Sequence, residues 1–129
     1  MKTRTIRQSV TFKATSHDVY EALMDSRKHA KFSGEKASIS RKVGGKFMCY
    51  GGYIEGINLD LKPDKKIVQS WRGIDWPDGH YSKATFSFQK VKGGTRLTFT
   101  QSAVPDQYYK DINQGWRDYY WKKMKVMLG

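Results

Sequence analysis

A single cysteine, Cys49, excludes an intrachain disulfide in these 129 residues. Only three prolines interrupt the chain, and no stretch approaches the roughly 18 apolar residues that cross a membrane. The start, Met1-Lys2-Thr3-Arg4, leads into alternating residues rather than an apolar run, so no secretory leader is expected and a reducing cytoplasm is the default setting. Acidic residues are scarce: 12 Asp and Glu face 24 Lys and Arg, for a net charge of +12. Such an excess points toward acidic partners or nucleic acid. However, the first 46 residues carry +7 of it, interleaved with apolar residues, without a dense tail or Arg-rich run. No nucleic-acid partner is expected.

Histidine is equally sparse. His17, His29 and His80 are widely separated, and none belongs to a nucleophile-base pattern. Cys49, read as mid-strand, is expected to be a small packing residue. No His/Cys/Asp/Glu set has metal-ligand spacing. Gly44-Gly45 and Gly51-Gly52 do not open helices as phosphate loops do. Glu55 and Asp60, an odd number of residues apart on one expected strand, should face opposite ways. The chain is thus expected to have no catalytic residues, metal site or cofactor, and not to be an enzyme.

Aromatics are abundant, with four Trp, eight Tyr and six Phe. For a chain of 14.9 kDa, roughly two-thirds of the extended surface can be buried, leaving about 7,000 Å² exposed. One domain spanning residues 1–129 is expected, since no repeat, low-complexity tract or linker divides it.

Ile6, Val10 and Phe12 alternate with polar residues in a half-buried strand over residues 4–13. Thr15 or Ser16 can cap a helix bearing Asp18 and Glu21 near its start, and a second short helix is expected near residues 26–32. Six strands follow near 37–43, 46–51, 53–61, 66–74, 80–90 and 94–102, separated by glycine pairs, Lys62-Pro63-Asp64 and Pro77-Asp78-Gly79. Short links imply an antiparallel meander. From 106 to 128, Ile112, Trp116, Tyr119 or Tyr120, Met124 and Met127 recur at helical spacing, and Gly115 in mid-helix suggests close approach to the sheet. The order β-α-α-β6-α describes an α+β helix-grip fold of the Bet v 1/START-like (SRPBCC) kind, a curved antiparallel sheet around a long C-terminal helix.

Val43-Gly44-Gly45-Lys46-Phe47, Gly52-Tyr53-Ile54-Glu55-Gly56 and Leu61-Lys62-Pro63 form an ordered set of motifs. They continue through Ile67-Val68-Gln69-Ser70-Trp71-Arg72, Trp76-Pro77-Asp78-Gly79-His80, Gly94-Thr95, Val104-Pro105, Gln114-Gly115-Trp116 and Tyr119-Tyr120. In this order they resemble the C-terminal domain of the activators of HSP-90 ATPase, from about residue 10 onward. The two-domain activators also carry an N-terminal domain that grips the middle of the chaperone, and the resemblance does not extend to it. ATPase activation is therefore not carried over.

Two functions follow as expectations. The resemblance implies a stress-related co-chaperone that binds HSP-90 by protein contact, with Lys36, Arg41, Lys42 and Lys46 offering a basic surface around the Gly44-Gly45 turn. The helix-grip fold implies instead a carrier for an apolar small molecule or lipid, held between sheet and long helix against Trp71, Phe86, Phe88, Phe99, Trp116 and Tyr120. The same bulky side chains could equally fill that space as core.

Overall fold

The computed structural model describes all 129 residues. Alternation builds β1, Thr3–Phe12, with Ile6 and Phe12 fully buried. The Thr15 side chain accepts the Asp18 N–H at 3.1 Å and starts α1, Ser16–Met24. Asp25 does the same for α2, Ser26–Ser33, accepting from the Lys28 N–H at 2.9 Å, and left-handed Gly34 ends that helix. Six strands follow: β2 (Ser38–Ile39), β3 (Lys46–Cys49), β4 (Ile54–Lys62), β5 (Lys66–Gly73), β6 (Ser82–Val91) and β7 (Gly94–Pro105). The chain closes with α3 (Asp106–Gly115), a π-helical stretch (Trp116–Trp121) and α4 (Lys122–Leu128), together one long C-terminal helix. No helix is long and apolar enough to cross a membrane.

All strands join one antiparallel sheet in the order β1-β7-β6-β5-β4-β3-β2, so the first strand pairs with the last. The sheet curves around the C-terminal helix, which is the expected helix-grip fold. Ala84, Phe86 and Phe88 from β6 and Leu97 and Phe99 from β7 point inward to a cluster of 25 buried residues, beneath all the helices. The exposed area, 7,185 Å², agrees with the expected value.

Four local expectations fail for physical reasons. The strand expected over 37–43 is only two residues long. Buried Asn58 accounts for this: its Nδ2 donates to the Ser40 and Lys42 carbonyls at 2.7 and 3.1 Å, and holds residues 40–45 as a loop. The strand expected over 46–51 stops at Cys49, because Tyr50, Gly51 and Gly52 all have positive φ and make a tight turn. Glu55 and Asp60 share the outer face. A bulge between Asn58 and Asp60 adds a residue, so that Glu55 opposes Arg72 while Asp60 opposes Val68, four residues away on β5. The fourth concerns Gly115, which makes no close approach to the sheet: a Cβ there would meet only the Tyr119 ring, at 3.6 Å.

Candidate functional site

Where β4 and β5 splay from the C-terminal helix, a groove of about 520 Å³ opens to solvent. Trp71 and Ile54 form its sheet wall, the 50–53 turn contributes Tyr50, Gly51 and Tyr53, and Ile112, Gly115, Trp116, Tyr119 and Tyr120 come from the helix. Glu35, after α2, and Asp111, on α3, complete the lining. At Gly115, where a Cβ would meet only the Tyr119 ring, no side chain projects into the groove. Its edges are tied together: the Tyr50 hydroxyl donates to the Tyr119 carbonyl across the gap, and the Tyr53 hydroxyl donates to Asp75 Oδ1 at 2.9 Å.

Trp116 centres the aromatic wall. Its ring lies 4.3 Å from Phe99, 4.4 Å from Tyr120, 5.6 Å from Trp71 and 5.7 Å from Phe86, centroid to centroid. Its indole N–H donates to Gln101 Oε1 at 2.8 Å. Gln101 Nε2 donates to Ser82 Oγ at 2.9 Å, and Ser82 donates to the Trp71 carbonyl at 2.7 Å. This buried chain fixes the Trp116 indole against the β5 backbone at Trp71, because leaving any member unpaired away from water costs about 1–3 kcal/mol.

Under the groove lies a second polar group. His29 Nε2 is 3.0 Å from the Tyr120 hydroxyl, and Cys49 borders the same small void of about 10 Å³. Burial lowers the His29 pKa to about 4, so the ring is neutral at physiological pH. Burial also pushes the Cys49 thiol up to about 12, which leaves it unreactive as a nucleophile. No group of three or more His, Cys, Asp and Glu could hold a metal ion.

Of the six aromatics expected around a cavity, Trp71, Trp116 and Tyr120 line the groove. Phe86 borders only the small void beneath it. Phe99 lies behind Trp116, while Phe88 packs edge-on against Tyr20 of α1 at 5.8 Å. The inner face of the sheet is shared between α1 and the C-terminal helix, so inward-facing residues of one strand serve two different neighbours. Tyr50, Tyr53, Ile112, Glu35 and Asp111 were not anticipated there: Glu35, Tyr50 and Tyr53 come from the segments after α2 and around the 50–53 turn, and Asp111 and Ile112 from the first part of the C-terminal helix. Gln69, Gln101 and His29 did leave a signal. Each sits on an apolar periodicity: Ile67-Gln69-Trp71, Leu97-Phe99-Gln101 and His29-Phe32.

The four basic residues do not form one cluster. Arg41, Lys42 and Lys46 are exposed at the β2–β3 turn, where Arg41 pairs with Glu21. Lys36 is also exposed, but its carbonyl accepts the Gly51 N–H at the other end of β2, five residues and roughly 15 Å along the chain from Arg41. Exposed Val43 and Ile57 adjoin the turn, with Ile57 directly opposite Lys46.

Residues 13–129 match the family described as "Activator of Hsp90 ATPase homolog 1-like protein". The chain is 30% identical over 119 residues to activator of 90 kDa heat shock protein ATPase homolog 1 of Homo sapiens, covering 92% of this chain and 35% of that protein. It is 31% identical over 116 residues to the Dictyostelium discoideum homologue, covering 89% and 30% respectively. It thus spans about a third of the length of these curated relatives. Among solved structures, an HSP90 activator from Plasmodium falciparum superposes with a TM-score of 0.89 at 26% identity, over 95% of this chain and 94% of the other. The Aha1 of Colwellia psychrerythraea shares the fold, with a TM-score of 0.84 at 20% identity over 97% and 96%. With a match over 117 of its 129 residues, the chain belongs to the activator of Hsp90 ATPase homolog 1-like family.

Proposed function

We propose that this chain is a single START-like module that binds an HSP90 chaperone and regulates it by protein contact rather than by catalysis, in a reducing cytoplasm. Family membership supports a role of this class. The observation that carries the contact surface is the β2–β3 turn. Lys42 and Lys46 are exposed there without acidic partners, beside the exposed apolar side chains of Val43 and Ile57. Unpaired cations around an apolar patch suit an acidic partner surface, with charge steering encounter and the patch gaining from burial. Titration with the host's own HSP90 at about 50 mM and about 300 mM salt tests this, since exposed charges are screened over that range. Binding should weaken as salt rises and in K42E/K46E, and chaperone ATP turnover should change with occupancy. Absence of binding at both salt concentrations refutes the reading.

A second reading is favoured by the groove itself. Its 520 Å³ lies within the roughly 300–1,000 Å³ of small-molecule sites, and aromatic rings dominate its lining. It is suited to a carrier or sensor of an apolar small molecule. The two readings are compatible, because the groove and the β2–β3 turn use different residues.

A further inference from the structure

Charge is sorted sharply between the groove and the rest of the molecule. The chain has twice as many basic as acidic residues, yet none of its 24 Lys and Arg lines the groove, whereas Glu35 and Asp111 do. Neither carboxylate takes part in an ion pair, although Glu21, Glu55, Asp106 and Asp118 each pair with a Lys or Arg. Lys36 follows Glu35 but stays outside the lining, and Lys123, with Nζ 5.7 Å from the Tyr119 ring, donates to the Ser33 carbonyl. A third carboxylate, Asp75, holds the Tyr53 hydroxyl at the edge. The tyrosines register this local field. Burial first, and then neighbours that include Glu35 for Tyr50 and Asp75 and Asp111 for Tyr53, raise both phenols above their ordinary range.

Resting on the reading of the groove as a small-molecule site, we propose that its ligand is an amphiphilic cation: a flat aromatic or aliphatic body bearing a protonated amine. The body lies against Trp71, Trp116 and Tyr120, which supply apolar area and ring faces. The ammonium sits toward the mouth between Glu35 and Asp111, with the rings of Tyr50, Tyr53 and Tyr119 nearby. Tyrosine faces attract cations, and carboxylates facing solvent add a modest further attraction. A protein of net charge +12 should otherwise prefer anions, so selectivity for a cation would be a property of this groove and not of the whole surface.

Three ligands of matched shape test the proposal: 2-naphthylmethylamine, 2-naphthylmethanol and 2-naphthoate. Each is titrated into the ¹⁵N-labelled chain at neutral pH and low salt, and followed through the Gly51 and Gly115 amides. The amine should bind about threefold to tenfold more tightly than the alcohol, the gain expected of one or two solvent-facing ion pairs. The carboxylate should bind most weakly. In E35Q/D111N, whose two positions are exposed and unpaired, the amine should lose most of its advantage over the alcohol, and the naphthoate should gain relative to both. If the alcohol matches the amine, or the naphthoate binds best, the cation preference is refuted while the small-molecule site stands. If none of the three moves the groove amides, the small-molecule reading itself falls.

Discussion

Replacing Trp116 with alanine is the severest test of the packing described above. The side chain is 2% exposed and sits among the rings of Phe99, Tyr120, Phe86 and Trp71. Removing a large buried aromatic costs about 3–5 kcal/mol. The variant also removes the donor to Gln101 Oε1, in a residue with no exposed surface, and such an orphan costs about 1–3 kcal/mol. The two costs do not simply add. Trp116 borders the groove, so the vacated space joins solvent, and water entering it satisfies part of the lost hydrogen bond. A net loss of about 4–5 kcal/mol is expected, a quarter or more of the roughly 5–15 kcal/mol that holds a domain folded. With a urea slope of about 1–3 kcal/mol per molar, the unfolding midpoint should fall by about 2 M. Circular dichroism reads this without depending on the deleted fluorophore. Trp116→Phe separates the two contributions: it keeps a ring but orphans Gln101, and adding Gln101→Leu should recover about 1 kcal/mol. A loss below about 1 kcal/mol in the alanine variant would refute the placement of Trp116 at the centre of the core.

Other expectations follow from single positions. Gly115→Ala should stabilise by about 0.5–1 kcal/mol, because its helical backbone favours alanine and the new Cβ meets only the Tyr119 ring; a fall in the melting temperature would contradict the open groove. His29 is neutral when folded, with a pKa of about 4, while unfolding returns it to about 6.5, so between those values the unfolded chain binds more protons. Its contribution is therefore fully present above about pH 6.5 and is lost as pH falls toward 4, by up to about 3 kcal/mol. His29→Phe should flatten that part of the stability profile relative to the parent chain, and an unchanged slope would contradict burial of the ring. Asn58→Leu should cost about 2–4 kcal/mol through the freed Ser40 and Lys42 carbonyls and Gln69. It should also speed amide exchange at Gly44 and Gly45; unchanged exchange would show that the turn holds itself.

The element order was legible because glycine pairs and Pro-Asp-Gly mark the turns, while period-2 and helical spacing mark what lies between them. Two features near Asn58 escaped: its side chain holds the backbone of a loop distant in sequence, and a bulge follows it in β4. The first ends β2 early, and the second turns Asp60 to the face of Glu55, which strict alternation along the strand does not reveal. The candidate groove was half legible. Inward-facing aromatics can be counted along a strand, but Phe88 meets α1 and Trp71 meets the groove only through the arrangement of helices above the sheet. The two carboxylates of the groove could not be read, since Glu35 and Asp111 are 76 residues apart in the chain and come to one groove only in the fold.

The π-helical stretch has a consequence for insertions and deletions. Trp116, Tyr120, Trp121 and Met124 are all buried, at offsets of 0, 4, 5 and 8. Removing one residue between Trp116 and Tyr120, such as exposed Arg117, changes those offsets to 0, 3, 4 and 7, the apolar stripe of an ordinary α-helix. The extra residue is therefore a shim that the core does not need. What it does move is the segment carrying the Tyr119 ring and the carbonyl that accepts the Tyr50 hydroxyl. A chain shortened by that residue should fold with its core in register and a reshaped groove, so that length variation here adjusts the mouth of the site and leaves the scaffold alone.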